Sequence, residues 1–376
     1  MGCAGTKIDR VVACSTSRSP AAFDQILPAA APCDFHAEYR LAEKLGSGSF
    51  GLVYAARRVA DGEDVAVKAV DMCKEDVAGR HAGNLDRRRQ RAVETEIAIL
   101  HMLPRSANVI TFLGAYVEDG LAYLVMERCS LSLLPYLHSM PVLTEAALKP
   151  AFEDMLRGIA ACHSAGIVHR DVKCDNFLAA PRCGGPGHMV KLCDFGCATR
   201  IRPAAGRALA GVCGTAPYMA PEMVRGEGYG AGVDVWAMGV LAHVLLFGAW
   251  PYMPPALSGP DVKRAIAAGT PAPAFRSGPS LPEVSADCAA WVRSLLCRDP
   301  TGRPSAKQAL ASRSLRAEWG RTTSLDKALC AAVRCGAFER PGRAFEARQE
   351  LDETLSRLNS KQHSVSEAST DASEEL

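Results

Sequence analysis

Gly46-Ser47-Gly48-Ser49-Phe50-Gly51 has the composition of a phosphate cradle. Glycines let a backbone come close to phosphate oxygens and turn its amides toward them. In a dinucleotide site such a run opens a helix, but here Leu52-Val53-Tyr54-Ala55 continues as a strand. Lys68 follows in the alternating segment Val65-Ala66-Val67-Lys68, and on that segment alone it reads equally as a lysine at a strand edge. Three further clusters stand in a fixed order. His169-Arg170-Asp171-Val172-Lys173-Cys174-Asp175-Asn176 comes first, and Asp194-Phe195-Gly196 starts 18 positions after Asn176. Gly214-Thr215-Ala216-Pro217-Tyr218-Met219-Ala220-Pro221-Glu222 completes the set. Each triplet would be common by chance, but their order and spacing together are not.

The elements that must hold these residues divide the chain. Two strands flank the glycine turn over Ala42 to Ala56, and a third covers Asp64 to Val70. A helix is expected over Leu85 to Leu103, with strands at Ile110–Val117 and Leu121–Glu127. Beyond that the pattern is mainly helical, with loops around 169–178 and 190–220. Strands first and helices afterwards imply an α+β protein of two lobes, one sheet-based and one helical. The apolar run from Val235 to Trp250, interrupted by His243, is 16 residues long. A bilayer span needs about 20, so a buried core helix is expected.

The 376 residues carry 43 Lys+Arg and 41 Asp+Glu, a net charge of +2. That balance gives no footprint for nucleic-acid binding, and the composition excludes collagen-like, coiled-coil and wholly disordered classes. Fifteen cysteines are scattered and odd in number, and the start lacks the apolar core of a signal peptide. Reduced thiols and a cytoplasmic location follow. No CxxC pairs with a second CxxC or a His pair, so structural zinc is not expected.

Together the clusters resemble the eukaryotic protein kinase family over residues 39–315. The resemblance implies a bilobal fold, with an N-lobe over 39–128, a C-lobe over 129–315, and ATP in the cleft between them. Phosphoryl transfer then asks for positioning and charge neutralisation. Carried over by motif, Lys68 holds the α- and β-phosphates and Glu96 fixes that lysine. Glu94 lies about 200° around the helix from Glu96 and cannot share its face. Asn176 and Asp194 supply hard oxygens suited to Mg²⁺. Asp171 orients the substrate hydroxyl and accepts its proton, with Lys173 beside the moving phosphate. Gly46, Ser47, Gly48 and Gly51 cover the phosphates. Leu124 to Cys129 resembles the hinge, with Met126 as gatekeeper. Backbone groups of Glu127 and Cys129 would bond adenine, and Leu45, Val53, Ala66 and Leu178 would sandwich it. Asp234-Val235-Trp236 resembles the start of the family's central helix, and Arg303 its buried partner of Glu222.

Lys173 resembles the serine/threonine branch, and Val233 to Tyr252 with Leu295 to Pro300 looks most like the calcium/calmodulin-dependent group. A monomer acting on protein substrates is the first expectation. A pseudokinase scaffold and a small-molecule phosphotransferase of related fold are the alternatives. Between Gly196 and Gly214 there is one hydroxyl residue, Thr199, and no Asp or Glu; position 211 is glycine. No activation-loop phosphate is therefore expected. Ser130-Leu131-Ser132-Leu133 replaces the Gly-Gly-Glu-like stretch of many relatives, which leaves Asp175 as a selector of basic substrates. Arg87, Arg88, Arg89 and Arg91 read as a solvated helix face, or as a docking surface for acidic partners. Cys174, Cys193, Cys197 and Cys213 read as small packing residues, with a redox role as the lesser alternative.

Residues 1–38 are expected to form a flexible arm. Met1-Gly2-Cys3-Ala4-Gly5-Thr6 matches the N-myristoylation signal at Gly2, with Cys3 as the palmitoylated second anchor that stable membrane binding requires. Glycine-cysteine starts before such a kinase resemble plant and protist calcium-dependent kinases, but the sequence contains no D-x-[DN]-x-[DN]-G loop. A helical extension is expected over 316–358, either as a relic of an inhibitory junction or docked on the C-lobe. Ser324 would cap its first helix and Gly336 end it; the second would span 343–358. Residues 359–376 are Ser-, Glu- and Asp-rich and expected to be disordered.

Overall fold

A computed structural model describes residues 34–48, 51–75, 81–118, 120–182, 187–201, 209–252, 259–275 and 281–338. Gly2, Cys3, Ser49, Phe50, the second tail helix and the acidic tail lie outside the described residues.

Alternation builds the first lobe. Strands β1 (Tyr39–Gly48), β2 (Gly51–Arg58) and β3 (Asp64–Asp71) join β6 (Phe112–Glu118) and β7 (Leu121–Glu127) in one antiparallel sheet of order β1-β2-β3-β7-β6. Val53 pairs with Lys68 and Lys68 with Leu124; Ala55 pairs with Ala66 and Ala66 with Met126. Opposite residues share a face and the side-chain period is two, so all six of these side chains look toward the second lobe. Tyr54, Val65, Val67, Tyr123 and Val125 take the other face and form a separate small core with Phe35. Phe35 sits in α1 (Phe35–Glu38), fully buried, with its ring stacked 4.1 Å from Tyr123. The arm expected to run to residue 38 therefore gives way to packed structure by Phe35.

A hairpin of β4 (Cys73–Glu75) and β5 (His81–Leu85), not foreseen in the sequence, leads into α2 (Arg87–Met102). Asp86 caps that helix by accepting from the Arg88 and Arg89 amides. Val93, Glu96, Ile97 and Leu100 are buried at i, i+3, i+4 and i+7. Glu96 is thus carried inside an apolar stripe. Arg87, Arg88 and Arg91 are exposed, whereas Arg89 donates to the Cys73 carbonyl.

The second lobe runs β8 (Leu131–Ser132), α3 (Leu133–His138), α4 (Glu145–Ser164), β9 (Ile167–Val168), β10 (Phe177–Pro181), β11 (His188–Leu192) and β12 (Thr199–Arg200). It continues through α5 (Pro221–Val224), α6 (Gly232–Phe247), α7 (Gly259–Ala268), α8 (Ala286–Leu295), α9 (Ala306–Ala311), α10 (Arg313–Arg316) and α11 (Asp326–Arg334). The three-stranded sheet β11-β10-β8 corrects the expectation of loops and helices there. Its strands are too short for their periodicity to stand out. α6 is the apolar run, apolar on every side and buried from Val233 to Phe247. Its His243 ring nitrogens face the carbonyls of Ala249 and Ala274, which is how a histidine fits in that run. Arg303 lies over the Trp236 ring and pairs with Glu222 at 2.7 Å, both buried. Among the described residues no helix is long and apolar enough to cross a membrane.

α11 docks on α6 and buries Leu325, Ala328, Leu329 and Ala332. Ser324, expected as the N-cap, sits one residue ahead of the actual N-cap, Leu325. Its hydroxyl accepts from the Asp326 amide instead. Gly336, at φ +81°, ends the helix as expected. The turn is fastened by Ala337 N–H to Ala332 O, Trp250 Nε1 to Cys335 O and Tyr218 OH to Ala337 O.

Gly158 on α4 decides how closely the lobes approach. A Cβ there would lie 2.4 Å from the Asn108 carbonyl oxygen, which already accepts from Leu192 N–H. Gly158→Ala is expected to cost about 2 kcal/mol by overpacking. The check is a urea midpoint lowered at unchanged slope.

Candidate active site

The segment from His169 to Asn176 is held from below. Asp234, in the first turn of α6 and 1% exposed, accepts from the His169 amide (2.9 Å) and the Arg170 amide (2.8 Å). His163 Nε2 stands 2.8 Å from the same carboxylate. Burial works against the Asp234 charge, but these bonds, His163 first, outweigh it and hold the carboxyl below its ordinary value. Arg170 has φ +64°, a left-handed backbone that costs a non-glycine residue about 1–2 kcal/mol. The Asp234 bond fixes it there. The His169 ring bonds the Cys193 carbonyl through Nε2, which brings the Asp194 segment alongside.

Asp171 is the hub of the next layer. Its Oδ1 accepts from the Thr215 amide (2.9 Å) and hydroxyl (2.8 Å), while Lys173 Nζ donates to that hydroxyl at 3.3 Å. Its Oδ2 has longer contacts, 3.3 Å to Asn176 Nδ2 and 3.5 Å to Lys173 Nζ. Gly214, at φ +95°, lets Thr215 reach this position, since a Cβ would stand 2.3 Å from the Arg170 carbonyl oxygen.

Across the cleft, Lys68 Nζ lies 2.6 Å from Glu96 Oε1 and 2.9 Å from Asp194 Oδ1. β3, α2 and the loop after β11 each contribute one member of this triad. Glu94 is not part of it. Burial disfavours the Lys68 ammonium, but Glu96 and then Asp194 outweigh it and hold its pKa above the ordinary lysine value. Burial likewise disfavours the Asp194 carboxylate, and Lys68 reverses the sign, leaving it lowered. Asp194 has φ +58° and its Oδ1 also accepts from Gly196 N–H. Asn176 gives its Nδ2 to the Asp171 carbonyl at 2.7 Å. The Asn176 side-chain oxygen and Asp194 Oδ2 accept no hydrogen bond among the described residues. Hard oxygens left over in this way fit a divalent cation.

Val53, Ala66, Met126, Leu178 and Cys193 are each half-buried, and Val53, Ala66 and Met126 share the sheet face that bears Lys68. They are apolar residues expected to line the adenine slot, and Leu45 is exposed. Gly46, Ser47 and Gly48 pair with Val53, Leu52 and Gly51 at the turn above it. A Cβ on Gly46 would meet nothing within 4 Å, whereas one on Gly51 would strike the Ala69 carbonyl. At the hinge the Glu127 amide is spent on the Thr111 carbonyl. The Cys129 amide makes no hydrogen bond among the described residues, so it is open to a ligand in the slot. The Glu127 carboxylate accepts from Thr111 N–H and from Lys191 Nζ, one partner in each lobe.

Two positioning residues were not assigned from sequence. Thr215 lies inside a quoted cluster, but its bond to Asp171 spans 44 positions. Asp234 was placed only as a helix start.

Residues 39–314 match the protein kinase domain, and the chain belongs to that family. It is 32% identical over 277 residues to calcium-dependent protein kinase 24 of Oryza sativa subsp. japonica, covering 72% of this chain and 50% of the relative. CDPK-related kinase 8 of Arabidopsis thaliana is 32% identical over 289 residues, 76% of this chain and 45% of its own length. CBL-interacting protein kinase 20 of Oryza sativa subsp. japonica is 35% identical over 221 residues, 57% of this chain and 45% of its own length. The chain spans about half the length of these relatives.

Asp234→Asn turns one oxygen into a donor that faces donors. A cost of about 3 kcal/mol is expected, measured as a lower Tm. The native carboxyl is held below its ordinary 3.8, so this stabilisation is complete above that value. It is lost as pH falls through the lower native value, and the gap between the two proteins should close on acidification.

Proposed function

We propose that the chain is a serine/threonine protein kinase that transfers the γ-phosphate of ATP to hydroxyls of protein substrates, with Mg²⁺ as the metal. The observation that carries this reading is the Lys68–Glu96–Asp194 triad joining sheet, helix and C-lobe loop, together with Asp171 and Asn176 in hydrogen-bond contact. Adenine fits the slot of Val53, Ala66 and Leu178, with the open Cys129 amide as donor. Lys68, fixed by Glu96, is a permanent cation for the phosphates. Asn176 and Asp194 would hold Mg²⁺, which neutralises phosphate charge when bound. Asp171 Oδ2, the less engaged of its two oxygens, orients the incoming hydroxyl and takes its proton, while Lys173 and Thr215 keep Oδ1 in place. The relatives' printed names, which include a calcium/calmodulin-dependent serine/threonine-protein kinase, support the hydroxyl preference.

Independence from a loop phosphate belongs to the same reading. Arg170 donates from Nε to the Cys197 carbonyl (2.7 Å) and from Nη1 to the Tyr229 hydroxyl (3.3 Å), so neutral oxygens occupy it. The test is phosphate transfer from ATP–Mg²⁺ to a degenerate Ser/Thr peptide library, using protein shown by mass spectrometry to be unphosphorylated. Wild type should transfer, and Asp171→Asn should fall by about 10²–10⁴ with ATP affinity little changed. ATP binding without transfer by wild type would favour a partner-binding scaffold.

Membrane association through Gly2 and Cys3 completes the proposal. Gly2→Ala should move the protein wholly to the soluble fraction of a eukaryotic host. Cys3→Ser should weaken membrane recovery, because one acyl chain binds only marginally.

A further inference from the structure

Cys197 and Cys213 lie 16 positions apart, yet their sulfurs stand 2.7 Å from each other. Both are free thiols, and both are held by backbone fastened to the catalytic segment. The Cys197 carbonyl accepts from Arg170 Nε. Cys213 precedes Gly214, whose left-handed backbone packs against the Arg170 carbonyl, and Thr215, whose amide bonds Asp171. The meeting of the two sulfurs is therefore set by the same contacts that assemble the site.

We infer that Cys197 and Cys213 form a dithiol modification site that a hydroperoxide converts to a disulfide, tying the Asp194-Phe195-Gly196 end of the loop to its Gly214-Thr215 end. In the first step the Cys213 thiolate attacks the terminal peroxide oxygen. The O–O bond breaks, Cys213 becomes a sulfenic acid, and the departing alkoxide or hydroxide takes up the proton that Cys213 released. In the second step the Cys197 sulfur attacks the sulfenic sulfur. The S–S bond forms, and hydroxide leaves with the Cys197 proton as water. Two thiols and one hydroperoxide give one disulfide, one alcohol (water, from hydrogen peroxide) and one water, with two electrons passing from sulfur to peroxide.

The surroundings favour Cys213 as the attacking thiol, while the bond with Cys213 and burial push Cys197 up. The bond with Cys197, and beyond it the charge of Arg170, draw the Cys213 thiol down to about 7 against burial and Asp171. A thiolate is the nucleophile in such chemistry. Burial pushes Cys129 and Cys162 up to about 12 and Cys193 well above its ordinary value. Cys213 is half-buried and next to the exposed Val212, so a small peroxide can reach it.

The test uses the full chain, reduced, desalted, treated with hydrogen peroxide and blocked with an alkylating agent. Peptides are then mapped by mass spectrometry without reduction. The expected product is a Cys197–Cys213 cross-linked pair, lighter by two hydrogens and returned to two alkylated cysteines by dithiothreitol. Cys330, exposed on α11, should stay alkylatable at the same dose. Oxidised wild type should also melt a few degrees above reduced wild type, since the cross-link restricts the unfolded chain. Peroxide should not raise the Tm of Cys213→Ser or Cys197→Ser. Full alkylation of both cysteines after peroxide overturns the inference. So does sulfinic acid at Cys213 without a cross-link, or a cross-link that engages Cys330 equally.

Discussion

One buried carboxylate organises the catalytic half of the molecule. Asp234 sits in the first turn of a helix that is otherwise apolar on all sides, where an unpaired charge would cost several kcal/mol. Its compensation comes from three donors, the amides of His169 and Arg170 and the ring of His163. Helix and loop therefore form together. The loop fixes the carboxylate, and the carboxylate fixes the loop in a left-handed backbone it would not otherwise keep. From there the order spreads outward, through His169 to the Cys193 carbonyl and through Asp171 to Thr215.

The second lobe alone would leave Asp194 without its cation. Lys68 supplies it from the sheet, and Glu96 from α2 keeps the ammonium in place. Since α2 buries Glu96 in an apolar stripe, any rotation of that helix would replace the carboxylate by a hydrocarbon. The triad is thus a readout of whether helix, sheet and C-lobe loop are in register. Preorganised charge of this kind suits phosphoryl transfer, in which little covalent chemistry falls to the protein.

Much of this was legible because the chemistry needs fixed residue types at fixed spacing. Lys68, Asp171, Asn176 and Asp194 stand in motifs whose order and spacing marked them together, and the alternation of β3 gave the orientation of Lys68. The apolar run from Val235 announced α6 by length. Other features had no local signal. β10 and β11 are five residues each and are stabilised by pairing with one another and with β8, which is a tertiary fact. Phe35 stands in a segment without periodicity and is ordered by aromatic stacking on Tyr123, nearly ninety positions away. Cys197 and Cys213 looked like two small packing residues, and only the fold brings their sulfurs together.

Glu127 bonds the Thr111 amide on one side and Lys191 on the other, at the edge where the chain passes from lobe to lobe. Such a fastening makes that edge a fulcrum. β1 lies three strands from β7, a lever arm of about 14 Å at the usual strand spacing. A tilt of the sheet about Glu127 moves the hinge hardly at all, while the glycine turn of β1 and β2 sweeps the widest arc. Any such tilt would change the phosphate end of the cleft most and the hinge edge beside Cys129 least.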